Sequence, residues 1–102
     1  MQDFILAKRE QIAEVCRKHH VRRLSVFGSA VRPDFDPNTS DVDLLVELPT
    51  QQHAGSAKRF WALEDDMARL FGRKVDLVAE GSITNPHILR RIQEQQEQLY
   101  AA

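Results

Sequence analysis

Two aspartates, Asp41 and Asp43, open an apolar stretch of the chain that has the alternating pattern of a β-strand. Because residues two apart in a strand point to the same face, the two carboxylates are predicted to lie side by side. At a separation of about 6 Å and an effective dielectric constant near 20, two such charges repel by roughly 3 kcal/mol. That is a large penalty for a small domain, so something is expected to neutralise the pair.

A third aspartate, Asp76, occupies the matching position of another strand-like stretch at residues 74–80. It shares its face with Val78, just as Asp43 shares its face with Leu45. If the two strands are neighbours in one sheet, the three carboxylates converge over one end of that sheet. Such oxygen ligands suit Mg²⁺, which binds one or two carboxylates and fills its remaining positions with water and phosphate oxygens.

The dipeptide Gly28-Ser29 follows a predicted strand at residues 21–27 and could supply the phosphate-binding half of such a site. A glycine lets a ligand approach the backbone closely, and a serine near a helix N-terminus offers a hydroxyl and an N–H to phosphate. Alone, the dipeptide is more typical of an ordinary turn. Together with the aspartates, it indicates a site for a metal ion and a nucleotide.

Hydrophobic periodicity and turn residues place these candidates on an alternation of helices and short strands. The predicted elements are a helix at 4–19, strands at 21–27 and 41–48, a helix at 56–71, a strand at 74–80 and a helix from 86 to about 99. This order predicts an α/β or α+β domain in which helices cover a small mixed β-sheet. Strand order is left open by the connections alone.

Composition limits the class of protein further. The 102 residues, 42% of them hydrophobic and 28% charged, suffice for one domain, at 1–102, with its own core. The formal net charge of −1 argues against a nucleic-acid partner. The basic run at 17–23 allows either a local binding patch or cations that complement a helix C-terminus. No stretch approaches the roughly 18 apolar residues of a membrane span, so a cytoplasmic location is expected. Cys16, the single cysteine, is predicted to lie in the core.

Three short motifs, "GS" at 28–29, "SDVDLLV" at 40–46 and "KVDLV" at 74–78, resemble the minimal nucleotidyltransferase (MNT) domains of the DNA polymerase beta-like superfamily. The resemblance covers nearly the whole chain, and it implies the polymerase beta-like nucleotidyltransferase fold. It also implies in-line attack of a hydroxyl on the α-phosphate of a nucleotide, with pyrophosphate as the leaving group.

The same resemblance implies a role for each candidate residue. Gly28 and Ser29 would bind the nucleotide, and Asp41, Asp43 and Asp76 would be catalytic and would bind Mg²⁺, with two ions expected. Arg32 matches an arginine of the family motif and would bind the nucleotide. Because the residues that flank it differ from the family pattern, an ion pair with a neighbouring aspartate is an equal alternative for Arg32.

Minimal nucleotidyltransferases are commonly paired with a small helical HEPN protein that is often a toxin. The resemblance therefore implies an antitoxin that transfers AMP from ATP to a tyrosine of a HEPN partner, within a hetero-oligomer. The alternative is a binding module that neutralises the partner by contact alone. The last predicted helix, through Ile88, Ile92 and Leu99, is either a solvated surface helix or the contact with that partner.

Overall fold

A computed structural model of the chain describes residues 3–31, 36, 41–48 and 56–102, without the side chains of residues 29, 56 and 57. The predicted Arg32 site lies outside the described residues. None of the helices in these ranges is both long enough and apolar enough to cross a lipid bilayer.

The described chain forms four helices, two short 3₁₀ turns and one four-stranded sheet. The helices are α1 Asp3–Leu6, α2 Arg9–Lys18, α3 Ser56–Phe71 and α4 Pro86–Gln95. The strands are β1 Arg23–Phe27, β2 Val42–Glu47, β3 Val75–Ala79 and β4 Glu97–Ala101, and the 3₁₀ turns are Gly28–Val31 and Glu80–Ser82.

The sheet is mixed, with the strand order β3-β2-β1-β4. Strand β1 pairs antiparallel with β2 and with β4, whereas β2 pairs in parallel with β3 through the crossover helix α3. The prediction of a small mixed sheet covered by helices is confirmed.

The core lies between one face of the sheet and helices α2 and α3. The alternating residues Val42, Leu44 and Val46 of β2 are fully buried, as the period of two predicts. Cys16 is buried in the same core, as expected, and burial raises the pKa of its thiol to about 12. This cysteine is therefore held in its unreactive, protonated form.

The prediction of a last helix that runs to Leu99 is wrong. Helix α4 begins as expected, with the Asn85 side chain accepting hydrogen bonds from the backbone N–H groups of the first turn, but it ends at Gln95. Gln96 is extended, and the residues after it form β4 along the free edge of β1. Leu99 is thus a core residue at 3% exposure and Ile92 is buried at 9%, so neither offers an apolar surface to a partner, whereas Ile88 is 53% exposed.

The first helix is interrupted at Ala7 and Lys8, where a single helix over residues 4–19 was predicted. The interruption lets Phe4 turn onto the end of α3, where its ring meets the Phe71 ring edge-to-face at a centroid distance of 6.1 Å. The Arg73 guanidinium lies 4.5 Å from the centre of the Phe4 ring in a cation–π contact. These ring contacts thus hold α1 against the end of α3.

Helix α2 ends in a tight turn that no glycine marks in the sequence. His20 adopts a positive φ of 58°, the Val21 N–H donates to the Cys16 carbonyl at 2.9 Å, and the His20 N–H donates to the Arg17 carbonyl at 3.2 Å. This pair of bonds is a Schellman motif, in which glycine is usual at the position of His20. The motif redirects the chain from α2 into β1.

Charged side chains join α2 to α3 at the same end of the molecule. Asp66 of α3 lies 2.7 Å from His19 Nε2 and accepts a bond from Lys18 Nζ at 3.2 Å. The hydrogen bond to His19 is the main cause that lowers the pKa of Asp66 below its ordinary value. Two residues of the 17–23 run, Lys18 and His19, therefore help to hold the two helices together.

Candidate functional site

The end of β1 brings the chain into a turn that only glycine fits. Gly28 has a φ of 70°, a conformation that costs other L-residues about 1–2 kcal/mol. A Cβ atom at this position would overlap the Asp43 carboxylate oxygen Oδ2 and would stand 3.3 Å from its Cγ. The absence of a side chain at Gly28 therefore makes room for the Asp43 carboxylate against the backbone of the turn.

Asp43 and Asp76 stand next to each other in the sheet. They are register partners in the parallel pair β2–β3, and side chains of such partners point to the same face. Adjacent strands are about 4.8 Å apart, so the two carboxylates branch from neighbouring positions. The condition that the sequence analysis set for convergence of these carboxylates, that their two strands are neighbours, is met for Asp43 and Asp76.

Asp41 lies just before β2, two residues from Asp43, with its side chain 43% exposed. Its Oδ2 is 3.7 Å from Lys74 Nζ. The backbone fixes this neighbourhood, because the Val42 N–H donates to the Lys74 carbonyl at 3.2 Å.

Sequence reasoning missed Lys74. The feature of the sequence that could have indicated Lys74 is its position. Lys74 stands directly before β3, as Asp41 stands directly before β2, and parallel strands in register bring equivalent positions together. An oppositely charged pair at two such positions predicts a contact between them.

The residues fit a hard cation in their chemistry and in their shared space. Carboxylate oxygens from β2 and β3 face the same side of the sheet, and the space at Gly28 that a Cβ would fill is occupied by one of them. Within the described ranges, no three His, Cys, Asp or Glu side chains are arranged to hold a metal ion together. The three-carboxylate centre therefore stays a prediction, in which Asp41 has to exchange Lys74 for the metal.

The nucleotide-binding half of the predicted site is described only in its backbone. Ser29 lies in the 3₁₀ turn Gly28–Val31, immediately after β1. Helix α4 packs against this turn. The same helix carries Ile88, whose side chain is exposed. The turn, the aspartates and one exposed apolar side chain thus belong to adjoining elements.

Comparison with known proteins identifies relatives over nearly the whole chain. The model of a family described as a nucleotidyltransferase domain matches residues 8–97. A predicted protein adenylyltransferase of Methanocaldococcus jannaschii, MJ0128, is 38% identical over 90 residues, which are 88% of this chain and 86% of the relative.

Solved structures share the fold. A predicted minimal nucleotidyltransferase superposes with a TM-score of 0.77 at 26% identity, over 94% of this chain and 95% of that one. A chain from the complex of a tri-AMPylated Shewanella oneidensis HEPN toxin with an MNT antitoxin gives a TM-score of 0.68 at 19% identity, over 96% of this chain and 73% of that one.

Proposed function

The chain belongs to the nucleotidyltransferase domain family, and on that premise we propose that it is an antitoxin that transfers AMP from ATP to a HEPN toxin. The observation that carries the proposal is the Asp43 carboxylate, which lies against the Gly28 turn and beside Asp76. The adenylyltransferase name of the M. jannaschii relative and the AMPylated HEPN toxin in the S. oneidensis complex support the choice of reaction and partner. Residues 1–102 form one minimal domain in this proposal, and ATP as substrate favours the cytoplasm.

The proposed acceptor is a tyrosine hydroxyl of the toxin. Its oxygen forms a bond to the α-phosphorus of ATP, the bond from that phosphorus to the bridging oxygen breaks, and pyrophosphate leaves while the hydroxyl proton is released. Mg²⁺, expected as two ions, would when bound neutralise charge on the phosphates and favour the deprotonated hydroxyl.

Each predicted site residue has a defined part in this reaction. Asp41, Asp43 and Asp76 would hold the metal through their carboxylate oxygens. Gly28 keeps the turn open to the Asp43 carboxylate, and the backbone of the turn, with Ser29 and Arg32, would bind the triphosphate. The chain's own task is thus to position the nucleotide and the metal in one place.

The acceptor side of the site requires a second protein. In the part of the chain that the structure describes, four short strands and four helices leave little surface to enclose an acceptor residue. Ile88 is 53% exposed on α4, the helix that packs against the Gly28–Val31 turn. A partner that covers Ile88 would therefore lie beside the nucleotide.

Co-expression with the protein encoded by the adjacent gene tests the activity. We expect intact-mass spectrometry to show AMP on a tyrosine of that neighbour with the wild-type chain, and none with Asp43→Asn. The control is Asp65→Asn, which removes one carboxylate that is 74% exposed on α3 and should leave transfer intact. Neutralisation of the neighbour without added mass, undiminished by Asp43→Asn, would contradict the enzymatic proposal and favour a contact-only antitoxin.

Nucleotide binding is tested separately by thermal melts. Ligand at a hundred times its dissociation constant stabilises the native state by about 2.7 kcal/mol, which raises the melting temperature of a domain of this size by several degrees. We expect Mg·ATP to produce this shift in the wild-type chain. An unchanged melting temperature at millimolar Mg·ATP would overturn the nucleotide proposal.

A further inference from the structure

We propose that Lys74 is a built-in counter-cation of the carboxylate site, which weakens metal binding as long as no nucleotide is present. The inference rests on the proposed function, because it concerns the metal that Asp41, Asp43 and Asp76 would bind. It gives a role to Lys74, the first residue of the motif "KVDLV", to which the motif alone assigned none.

The contact between Lys74 and Asp41 is the first support. The ammonium nitrogen is 3.7 Å from Asp41 Oδ2, and the neighbouring backbone bond from the Val42 N–H to the Lys74 carbonyl holds the two residues at the start of adjacent strands. The contact therefore follows from the sheet register and not only from the rotamer of a long side chain.

The charges of the site are the second support. Asp43 and Asp76 are register partners, and Asp41 lies two residues before Asp43 on the same side of the chain, so three negative charges gather at one end of the sheet. A cation at Asp41 offsets part of their repulsion in the absence of a metal. Because Lys74 and a metal ion use the same carboxylate, each weakens the binding of the other.

The exposure of Lys74 sets the size and reversibility of this effect. Its side chain is 79% exposed and that of Asp41 is 43% exposed. Exposed ion pairs are weak and correspond to less than about a fivefold change in an equilibrium constant. Lys74 can therefore be displaced readily, and a nucleotide that brings its own metal and phosphates displaces it more easily than the metal alone.

The test measures binding of Mn²⁺, an oxygen-binding ion, to the nucleotide-free protein, with free Mn²⁺ quantified by its EPR signal. We expect Lys74→Gln to bind Mn²⁺ about two to five times more tightly than the wild-type chain. Lys74→Arg, which keeps the charge, should retain the wild-type affinity. The control for net charge is Lys58→Gln. Lys58 lies near the start of α3, about 20 Å along the helix axis from Phe71 at the other end, so this substitution should change the Mn²⁺ affinity less than Lys74→Gln does.

A double-mutant cycle assigns the effect to the pair. In an Asp41→Asn background, Lys74→Gln should no longer tighten Mn²⁺ binding, because the carboxylate that the lysine blocks is gone. Wild-type-like or weaker Mn²⁺ binding by Lys74→Gln, or an equal gain in Lys58→Gln, would overturn the counter-cation role while leaving the proposed function intact. Absence of Mn²⁺ binding in every variant, together with absence of AMP transfer, would overturn the proposed function and this inference with it.

Discussion

Gly28→Ala tests whether this glycine serves the Asp43 carboxylate or only the backbone of the turn. At a φ of 70°, alanine costs about 1–2 kcal/mol through the left-handed conformation alone. Its Cβ would also overlap Asp43 Oδ2, which forces the carboxylate out of its position at a further cost of about 0.5–1.5 kcal/mol. We expect a total loss of about 1.5–3.5 kcal/mol in the free energy of unfolding.

The chain contains a matched control for the backbone cost. Gly72 has a φ of 64° after the end of α3, and a Cβ there would meet nothing within 4 Å. Gly72→Ala should therefore lose only the 1–2 kcal/mol of the left-handed conformation. Urea unfolding of both variants, followed by circular dichroism, measures the difference, which we expect to be about 1 kcal/mol in excess for Gly28→Ala.

Truncation of the carboxylate completes the experiment. The Asp43 Cβ would stand 3.6 Å from the new methyl group, which is an ordinary contact, so Gly28→Ala in an Asp43→Ala background should cost no more than Gly72→Ala. Gly28→Ala should also abolish the stabilisation by Mg·ATP, whereas Gly72→Ala should keep it. Equal destabilisation by the two alanine substitutions, with normal Mg·ATP binding in both, would refute the role of Gly28 in placing the carboxylate.

Three further predictions concern the fold around the site. His20→Gly should stabilise the chain by about 0.5–1 kcal/mol in urea unfolding, because glycine removes the left-handed strain but gives the unfolded state more freedom; a loss of stability would contradict the assignment of strain. The pKa of Asp66 in the folded chain is lowered below the ordinary aspartate value of 3.8, chiefly by the hydrogen bond to His19. The stabilisation from this carboxylate is therefore complete at a pH above 3.8 and is lost as the pH falls through the lower pKa of the folded state. The difference in unfolding free energy between wild type and Asp66→Asn should accordingly shrink as the pH is taken from 5 to below 3.8, and a difference that grows would reverse the sign of the argument. Leu99→Ala should lower the free energy of unfolding by about 2–5 kcal/mol, because it empties a core position. Ile88→Ala should change that free energy by less than about 0.5 kcal/mol and should instead weaken the complex with the partner. Similar stabilities for the two variants would place Leu99 outside the core.

The regular alternation of β2 and β3 made the sheet and its paired aspartates predictable. A strand has a side-chain period of two, so Asp43 and Asp76 could each be assigned to a face of its own strand, and their convergence was predicted on the condition that the two strands are neighbours. The bounds of α3 were predictable for a similar reason, since its apolar stripe repeats over four turns and Gly72 ends it with a positive φ. Strong periodicity and a clear end signal made both predictions accurate.

The errors arose where contacts distant in sequence decide the local structure. Residues 93–98 are all glutamine or glutamate, which favour helix, and Leu99 follows Ile92 by two helical turns. The strand β4 forms there because β1 offers a free edge, and that edge is not visible in the local sequence. The ion pair between Lys74 and Asp41 was missed for the same reason, because it depends on the parallel register of two strands.

The position of β4 beside β1 has a consequence for the order of events during synthesis. Leu24 pairs with Tyr100, so the sheet cannot be completed until almost the whole described chain has left the ribosome. Until then β1, which leads directly into the Gly28 turn, has one unpaired edge, and contacts of such long sequence separation form slowly. Under the proposed function, a nascent chain would acquire a fully supported nucleotide turn only after β4 has left the ribosome, so the ability to neutralise the toxin would lag behind synthesis of the turn itself.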